Sequence, residues 1–501
     1  MRMGTRRRAA LWAAALLTAA LPAWAPVGRA DPAPDRVPAP STTATPKAPA
    51  WHFVSRPDLT PPVITSTTAH AVLGVPQATQ NDDLFLGPKD TETGVTMQGE
   101  LIVDSHGQPV WVNDSSVGTF NFREQTYRGQ PVLTYWDGAS TSYGHGDVVI
   151  LDETYTRIAT VTTGGDLGPH QADMHESAIT PQGTMLLTSY PEVPADLSGI
   201  GGPKDGWVPE GVAQEVDIAT GAVLFEWRSL DHVPVSDTYQ PLAAGQGTRA
   251  NPFDYFHINS VQDDGADQVL ISARHTHAVY EVARRTGAVT WQLGGRRSSF
   301  TFAPGAAFSW QHDARRQADG TITLFDNEAA PTSSRGLRLS LDMATMTASV
   351  AAQYLPPTPR QAATQGNVQI LPGGDVEVGW GQEPFYSLYT GDGRLITDST
   401  FTAGTSYRVF AAPWTGRPTS PPDAAVRRSG STATVYASWN GATEVASWRV
   451  LSGPDAGDAV PAETVARTGF ETQITVERAG AYVEVQALDA SGAVIGSVVA
   501  T

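Results

Sequence analysis

Short runs of alternating apolar and polar residues extend along most of the chain, and pairs of these runs are separated by polar turns. This pattern is typical of β-hairpins, because successive side chains of a strand point to opposite faces. From about residue 80 one hairpin recurs at similar intervals. Its six turns lie at Asp104, Asp152, Asp217, Gly287, Asp342 and Asp392.

A second hairpin precedes this one in three of the repeats. It begins with a histidine that is followed eight residues later by a glycine, in the pairs His175 and Gly183, His257 and Gly265, and His312 and Gly320. In a fourth copy Gly366 stands in place of the histidine, before Gly374. Two hairpins give four strands, so the sequence predicts an all-β fold whose first domain, residues 51–415, is a six-bladed β-propeller. Propellers place the first strand of each blade around the central channel, and we therefore expect the three histidines to meet at its mouth.

The composition changes to a proline-rich linker over residues 416–423, and strand-like runs resume over residues 424–501. Turns containing Gly, Asp or Asn separate these runs, which favours a small C-terminal β-sandwich of the fibronectin III or immunoglobulin type. This domain has no histidine and no cysteine pair. A spacer or adhesion module is therefore the favoured interpretation.

The N-terminus has the pattern of an export signal. Arginines at positions 2 and 6–8 precede an apolar, alanine-rich stretch, and Gly28 and Ala30 suit cleavage before Asp31. Residues 1–30 are predicted to be a signal peptide, and residues 31–50 a disordered Pro/Ala/Thr linker. The protein is therefore expected to be secreted, with possible association with a cell wall and the export route left open. No other stretch is long enough to span a membrane.

Charge and cysteine content exclude several classes of function. The net charge of −18 argues against nucleic acid or an anionic membrane as partner. The absence of cysteine excludes thiol catalysis, cysteine-ligated metals, disulfides and a lipoprotein anchor. A small anionic substrate stays compatible with the sequence, since local charge in a pocket can oppose the overall sign. The oligomeric state is left open.

Three converging imidazoles suit two chemistries. One is a zinc or copper site, and the other is nucleophilic and electrostatic catalysis on an anionic group. Arg274 ends the second strand of the His257 hairpin, where its cation would repel a metal ion and bind sulfate or phosphate oxygens. Asn259 shares a strand face with His257 and is a further donor candidate. Asn327, at the position equivalent to Arg274, and Arg315 are candidates for substrate binding. The remaining histidines outside the register that we considered are assigned to surface or structural positions: His52, His70, His106, His145 and His170.

The stretches DMHES, FHINSV, LISARHT, FSWQHDAR and ITLFDN, in this order, resemble the arylsulfotransferase family of secreted bacterial proteins, in its actinobacterial and fungal branch. The resemblance covers roughly residues 50 to 415. It implies a six-bladed propeller that transfers a sulfuryl group from a phenolic sulfate ester to a phenol, without a nucleotide donor, cofactor or metal. By motif match His312 would be the nucleophile, His257, Asn259 and Arg274 would hold the sulfuryl oxygens, and His175 would assist the phenol oxygen.

Two other functions remain open. A non-catalytic propeller could use the same histidines to bind a ligand or a cell-wall component. A quinone-dependent dehydrogenase is less favoured, because that fold repeats its Thr-Gly-x-Val-x-x-Trp turn in most blades and only Trp227 and Trp291 match it well here.

Overall fold

The structure is a computed structural model that describes residues 49–68, 82–89, 97–115, 119–140, 143–265, 267–328 and 333–501. The predicted signal peptide, most of the predicted linker at 31–50, and His70 lie outside these residues. All described residues belong to one compact unit, Ser41–Thr501.

Strands make up most of the regular structure. The first twenty-eight in chain order are β1 Ile64–Thr68, β2 Asp83–Leu86, β3 Gly99–Val103, β4 Pro109–Asp114, β5 Phe120–Tyr127, β6 Gln130–Ser140, β7 Gly144–Leu151, β8 Arg157–Val161, β9 Ser177–Ile179, β10 Thr184–Ser189, β11 Glu192–Ala195, β12 Gly206–Pro209, β13 Val212–Asp217, β14 Val223–Arg228, β15 Ile258–Asp263, β16 Gln268–Ala273, β17 Ala278–Ala283, β18 Val289–Gly294, β19 Thr301–Phe302, β20 His312–Arg316, β21 Ile322–Asp326, β22 Arg335–Asp342, β23 Thr347–Tyr354, β24 Asn367–Ile370, β25 Val376–Gly379, β26 Phe385–Tyr389, β27 Leu395–Phe401 and β28 Phe410–Ala412. The C-terminal strands are β29 Asp423–Ser429, β30 Thr432–Ser438, β31 Ser447–Gly453, β32 Val460–Ala466, β33 Glu471–Val476, β34 Tyr482–Leu488 and β35 Val494–Val499.

Helix is confined to short turns. In the part of the chain that the structure describes, the helical segments are 3₁₀ turns at Gly165–Leu167, Ser198–Ile200, Ser229–Asp231 and Val235–Asp237. The predicted all-β class is confirmed. None of the helices in the described residues is long and apolar enough to cross a membrane.

Six antiparallel sheets of four or five strands follow one another along residues 64–412, and β11 and β12 form a separate two-stranded sheet within this range. The strand orders of the six sheets are β28-β2-β3-β4, β5-β6-β7-β8, β9-β10-β13-β14, β15-β16-β17-β18, β20-β21-β22-β23-β19 and β24-β25-β26-β27-β1, with β19 joining β23 in parallel. The six strands named first in these orders are called the first strands. Consecutive sheets pack against each other, and the sixth contacts the first through β25 and β28. The contacts therefore run through a closed circuit of six sheets, called here the six-sheet ring.

The two ends of this region close the ring. The first sheet takes its first strand, β28, from the chain that follows the sixth sheet, and β28 pairs with β2. The sixth sheet gains β1 from the N-terminal side, paired with β27. Pulling the N-terminal strands β1 and β2 away from the C-terminal strands β27 and β28 would therefore break main-chain hydrogen bonds as well as side-chain packing.

Both predicted sets of hairpins are present. The six turns at Asp104, Asp152, Asp217, Gly287, Asp342 and Asp392 join the third and fourth strands of the six sheets. Aspartate suits them because its carboxylate accepts hydrogen bonds from main-chain N–H groups of its own turn, as Asp104 does from His106 at 2.9 Å. The hairpins that follow the three histidines join the first and second strands of their sheets.

The hydrophobic core is divided among the gaps between neighbouring sheets. Adjacent residues of a second strand enter different gaps: Leu270 packs between the fourth and fifth sheets, and Ile271 between the third and fourth. Leu186 and Leu187 divide in the same way. Burial on both faces explains why the second strands read as continuous apolar runs rather than as alternating ones.

The C-terminal residues form two further antiparallel sheets, β29-β30-β33 and β32-β31-β34-β35, with a shared core around Trp448. This region is attached to the six-sheet ring by specific contacts. The Tyr155 hydroxyl donates to Gly441 O at 2.8 Å, and the Phe53 and Phe470 rings lie 4.4 Å apart. The Gly441 N–H also donates to Val110 O of β4 at 2.8 Å. These contacts fix the region against the first two sheets and the segment before β1, so within the described residues it is not a freely tethered spacer.

Candidate functional site

Three first strands bring the predicted histidines together. His175 lies two residues before β9, His257 directly precedes β15, and His312 is the first residue of β20. The glycines eight residues later have φ of 80°, 65° and 83°, so left-handed backbone closes each of the three hairpins. Equivalent turns place the histidines at the same end of three consecutive first strands, called here the histidine end.

His175 and His257 are in direct contact. Their ring centroids lie 4.9 Å apart with the planes at 83°, and the Tyr190 ring lies within 6 Å of both. His175 is only 6% exposed. The convergence expected from the sequence register is therefore observed for this pair.

Each of these two histidines has an aspartate behind it. The Nδ1 atom of His175 is hydrogen-bonded to Asp173, and Nδ1 of His257 to Asp254 Oδ2 at 2.5 Å. The same carboxylates accept the main-chain N–H groups of the histidines, at 2.9 and 3.0 Å. These contacts fix the ring orientations and leave Nε2 of each imidazole on the side away from its aspartate.

Burial sets the charge state of the pair formed by His257 and Asp254. It lowers the pKa of His257 to about 3, although Asp254 opposes the shift. Burial alone would raise the pKa of Asp254, but His275 and His257 outweigh it and hold that pKa well below its ordinary value. At neutral pH the pair is therefore a neutral imidazole donating its Nδ1–H to a carboxylate.

His312 has an amide rather than a carboxylate behind it. Asn327 donates its Nδ2 hydrogens to Ala362 O and Gln365 O, at 2.8 and 3.0 Å, which fixes the amide orientation. Its Oδ1 must then accept from Nδ1 of His312, 2.7 Å away. The proton of the neutral ring is thus on Nδ1, and Nε2 carries the lone pair.

Two effects keep His312 neutral. Burial comes first, since the residue is 1% exposed, and the Arg274 cation comes second; together they hold the pKa of His312 well below its ordinary value. His257 and His175 act in the same direction, which places all three histidines within electrostatic reach of one another. In this structure the Nε2 lone pair accepts the Gln365 main-chain N–H at 3.2 Å.

Arg274 lies on the turn after β16 and faces the same cluster. Its main-chain N–H donates to His257 O at 2.9 Å, and Nη1 donates to His275 Nε2 at 2.7 Å. Nη2 donates to Ala363 O at 3.1 Å, and the guanidinium lies 4.8 Å from the centre of the Trp310 ring. The arginine is therefore held in place from several sides next to His312.

One segment, residues 360–366, covers the site. It supplies Ala363 O to Arg274, Gln365 N to His312 and two carbonyls to Asn327. Gln365 has a φ of 69°, a left-handed conformation that is uncommon for a residue with a Cβ. Polar atoms of three site residues are thus occupied by the main chain of a single segment.

Sequence reasoning missed His275 and the two aspartates. His275 donates from Nδ1 to Asp254 O at 2.8 Å and accepts from Arg274 through Nε2. It has no counterpart in the His–Gly register, because it lies on the turn after a second strand. The aspartates could have been found: an acid stands two residues before His175 and three before His257.

Asp254, His257 and His275 each offer a ligand atom, and these atoms lie within 4.8 Å of one another. A metal ion there would have to compete with existing contacts, since both nitrogens of His275 are engaged and one of them accepts from the Arg274 cation. A fixed cation at this distance disfavours a second one. The arrangement suits an anion better than a metal.

Asn259 lies at the histidine end, yet its amide contacts the main chain. Its Nδ2 donates to Gln311 O at 2.7 Å, which holds the residue before His312 in position. Asn327 likewise contacts His312 and not the open side of the cluster. The predicted role of each as a group that contacts substrate stays a prediction, and their observed contacts favour positioning of His312.

Arg315 lies in a separate group of buried charges further along the first strands, which we call the ion cluster: Arg123, Glu176, Asp313, Arg315 and Arg408. Burial alone would raise the pKa of Glu176, but Arg315, Arg408 and Arg123 lower it to about 2. Arg315 pairs with both Glu176 and Asp313. Its predicted role in substrate binding stays a prediction that these contacts do not favour.

Four of the histidines assigned to surface or structural positions are exposed in the structure: His52, His106, His145 and His170. None of these four histidines shares the eight-residue spacing to glycine, and their exposure agrees with the assignment.

Comparison with known proteins identifies one family. A family model described as arylsulfotransferase (ASST) matches residues 123–402, more than half of the chain, and this range includes His175, His257, Arg274 and His312. No curated protein sequence shows a significant match.

Several solved structures are loosely similar. A protein of unknown function from Bacteroides caccae has 11% identity and a TM-score of 0.40, covering 66% of this chain and 98% of its own. The β-propeller domain of Myceliophteria thermophila Cps50 (Swd1) has 12% identity and a TM-score of 0.32, covering 69% and 97%. Virginiamycin B lyase from Staphylococcus aureus has 9% identity and a TM-score of 0.33, covering 75% and 96%.

Proposed function

The chain belongs to the arylsulfotransferase family, and on that premise we propose that it moves a sulfuryl group from a phenolic sulfate ester to a phenol. The group travels on His312 as a sulfohistidine, without a nucleotide sulfate donor. We further propose that the six-sheet ring is a six-bladed propeller and that the C-terminal sheets are a sandwich of the fibronectin III or immunoglobulin type. The predicted export signal supports secretion.

The observation that carries the proposal is the difference between the partners of the three histidines. Carboxylates stand behind His175 and His257, whereas the neutral Asn327 amide stands behind His312. A carboxylate favours imidazolium more strongly than a neutral amide does, although burial keeps His257 neutral as well. Burial and Arg274 add to this difference and keep His312 neutral with its lone pair on Nε2. The sequence register could not choose among the three, and the side-chain partners favour His312.

A neutral nucleophile suits this reaction. A sulfate ester already carries negative charge on its oxygens, which would repel an anionic attacking group. In the first half-reaction the Nε2 lone pair forms a bond to sulfur, and the bond from sulfur to the phenolic oxygen breaks with its electron pair on the phenolate. Asn327 continues to accept from Nδ1–H, which bears part of the positive charge that the ring acquires.

Arg274 and the groups around it would stabilise the sulfuryl oxygens. A guanidinium already fixed by His275 and Ala363 pays little reorganisation when charge develops beside it. His257, whose single ring proton is donated to Asp254, donates to a sulfuryl oxygen only after it takes up a second proton on Nε2. The Gln365 N–H must leave Nε2 before sulfur can bond there, so the segment 360–366 has to shift locally in each cycle.

His175 would handle the proton of the phenol. In the first half-reaction the departing phenolate takes a proton from His175. In the second half-reaction the acceptor phenol returns a proton to His175 as its oxygen attacks sulfur, and the bond from nitrogen to sulfur breaks to restore neutral His312. Asp173, hydrogen-bonded to Nδ1, would stabilise the imidazolium, as carboxylates do in catalytic dyads.

The proposal is tested with 4-nitrophenyl sulfate and a panel of phenols. Release of nitrophenol should depend on the acceptor, and initial rates should give the parallel lines of ping-pong kinetics. His106→Ala, which changes an exposed histidine outside the site, should behave as wild type. No nitrophenol with any acceptor, together with tight binding of a phenol or glycan ligand, would instead favour a non-catalytic binding protein.

A further inference from the structure

Tyr407 lies at the histidine end, between the sixth sheet and β28. It is 2% exposed, and its ring contacts the His175 ring edge-on, with centroids 5.8 Å apart and planes at 83°. The Phe120 ring lies 5.6 Å away, and the Arg408 guanidinium 5.1 Å from the ring centre. The carbonyl of Tyr407 accepts from Gly366 N at 3.1 Å, directly after Gln365. The side chain is therefore fixed beside the proposed proton carrier and next to the segment that covers His312.

The hydroxyl of Tyr407 is buried and has no hydrogen-bond partner within the described part of the chain. Other buried tyrosines of the six-sheet ring use their hydroxyls on acceptors of the protein: Tyr190 on Ile258 O, Tyr255 on Val233 O, Tyr280 on Thr276 Oγ1, Tyr354 on Gly391 O and Tyr389 on Leu355 O. Leaving such a group unsatisfied disfavours folding. An unsatisfied hydroxyl on a ring that contacts His175 therefore points to a partner that comes from outside the chain.

This hydroxyl is a donor rather than an attacking group. Burial raises the pKa of Tyr407, and the carboxylates of Asp173, Glu176 and Asp313 add to the increase, while Arg408 opposes it. The group is thus protonated throughout the physiological range. A phenol that keeps its proton can donate to an oxygen on which negative charge accumulates.

Building on the proposed function, we propose that the Tyr407 O–H donates a hydrogen bond to the bridging phenolic oxygen of the aryl ester, next to His175. In the first half-reaction this oxygen receives the electron pair of the broken sulfur–oxygen bond. In the second, the same position holds the attacking oxygen of the acceptor. The hydroxyl keeps its own proton in both steps and lowers the cost of charge on that oxygen, while His175 carries out the proton transfer. The oxygen position beside Tyr407 and His175 therefore selects phenols and their sulfate esters.

The test compares Tyr407→Phe with Tyr354→Phe. Phenylalanine keeps the ring contacts of Tyr407 and removes only the unsatisfied hydroxyl, so the melting temperature should stay unchanged or rise. For phenyl sulfate as donor, kcat/KM should fall about 100-fold, as it does when one donor to a developing oxyanion is lost. Tyr354→Phe removes a hydroxyl that donates to Gly391 O far from the histidines, so it should lower the melting temperature and leave kcat/KM unchanged.

A series of donors sharpens the test. The loss in Tyr407→Phe should be largest for esters of basic phenols, such as 4-methoxyphenyl sulfate, and smallest for 4-nitrophenyl sulfate, because nitrophenolate needs less stabilisation. Wild-type kcat/KM in Tyr407→Phe, or an equal loss for all donors, would overturn the inference while leaving sulfuryl transfer intact. A fall in melting temperature matching that of Tyr354→Phe would also overturn it, since the hydroxyl would then have a structural partner. Absence of turnover in wild type with every donor would reject the proposed function and the inference together.

Discussion

The ion cluster begins one residue beyond the histidine end, at Glu176 and Asp313, and the two regions differ in how their polar groups are satisfied. In the ion cluster Glu176 meets three arginines, with Arg123 at 3.1 Å and Arg408 at 3.3 Å, and Arg315 also binds Asp313. At the histidine end the Tyr407 hydroxyl has no partner in the described chain, and the His312 lone pair accepts only a main-chain N–H at 3.2 Å. Within the described residues, Nε of Arg123 and Nε of Arg408 have no hydrogen-bond partner, but both guanidinium groups are paired with Glu176, whereas the Tyr407 hydroxyl has no partner of either kind. Paired charges hold the strands together, and a group without a partner can act on a substrate.

The contacts of Arg315 do not favour its predicted role in substrate binding, which stays a prediction. Its donors go to two buried carboxylates. Arg274, on a turn beyond a second strand, instead lies close enough to His312 to lower its pKa.

The largest effect is expected on stability, when the ion cluster is broken. Glu176→Gln removes the carboxylate that three buried arginines share, and the free energy of unfolding should fall by about 3–5 kcal/mol because uncompensated charges stay buried. Urea unfolding measures the loss. As a control, Glu153→Gln breaks an exposed pair with Arg417 and should leave the free energy of unfolding nearly unchanged. Equal stability of the two variants would show that the ion cluster is not the structural element inferred here.

A slightly smaller effect is expected at the histidine end. Arg274→Ala leaves the nucleophile in place but removes the cation beside the sulfuryl oxygens, so the barrier should rise by about 2–4 kcal/mol. Donor-dependent burst kinetics in the absence of acceptor isolate this step. Arg316→Ala, which removes an arginine paired with Asp264 and Glu281, is the matched control and should retain the wild-type burst rate. A wild-type burst rate in Arg274→Ala would contradict its assignment.

The smallest expected effect is a shift in pH dependence. Asn327→Asp places a carboxylate on Nδ1 of His312, which favours imidazolium and should raise the pKa of His312. Protonated His312 has no lone pair, so the rate of the first half-reaction should fall on the acidic side and recover as the pH rises. In wild type the pKa of His312 lies well below its ordinary value, so the acidic fall in rate should occur at lower pH. Identical pH profiles for the two proteins would contradict the role given to Asn327.

Much of the fold was predictable because it repeats. The hairpin turns and the His–Gly register recur at equivalent places, so sequence spacing alone located His175, His257 and His312 at one end of their strands. Asp173 and Asp254 precede His175 and His257 by two and three residues and could have been found from the sequence, whereas His275 and Tyr407 lie on loops without a repeat partner, where spacing carries no information. Side-chain pairing also depends on the tertiary fold. Arg315 and Glu176 are 139 positions apart in the chain, and Tyr155 and Gly441 are 286 positions apart.

The most direct test of the account is to locate the sulfuryl group after reaction with donor alone. Wild-type protein incubated with 4-nitrophenyl sulfate without acceptor should gain the mass of one SO₃ group, lost again on addition of a phenol. Peptide mapping should place the group on His312, within Gln311-His312-Asp313, and His312→Ala should show neither the adduct nor turnover. An adduct on His257 or His175 would keep the reaction class and contradict the choice of nucleophile. Turnover in wild type without any enzyme adduct would contradict the covalent route itself.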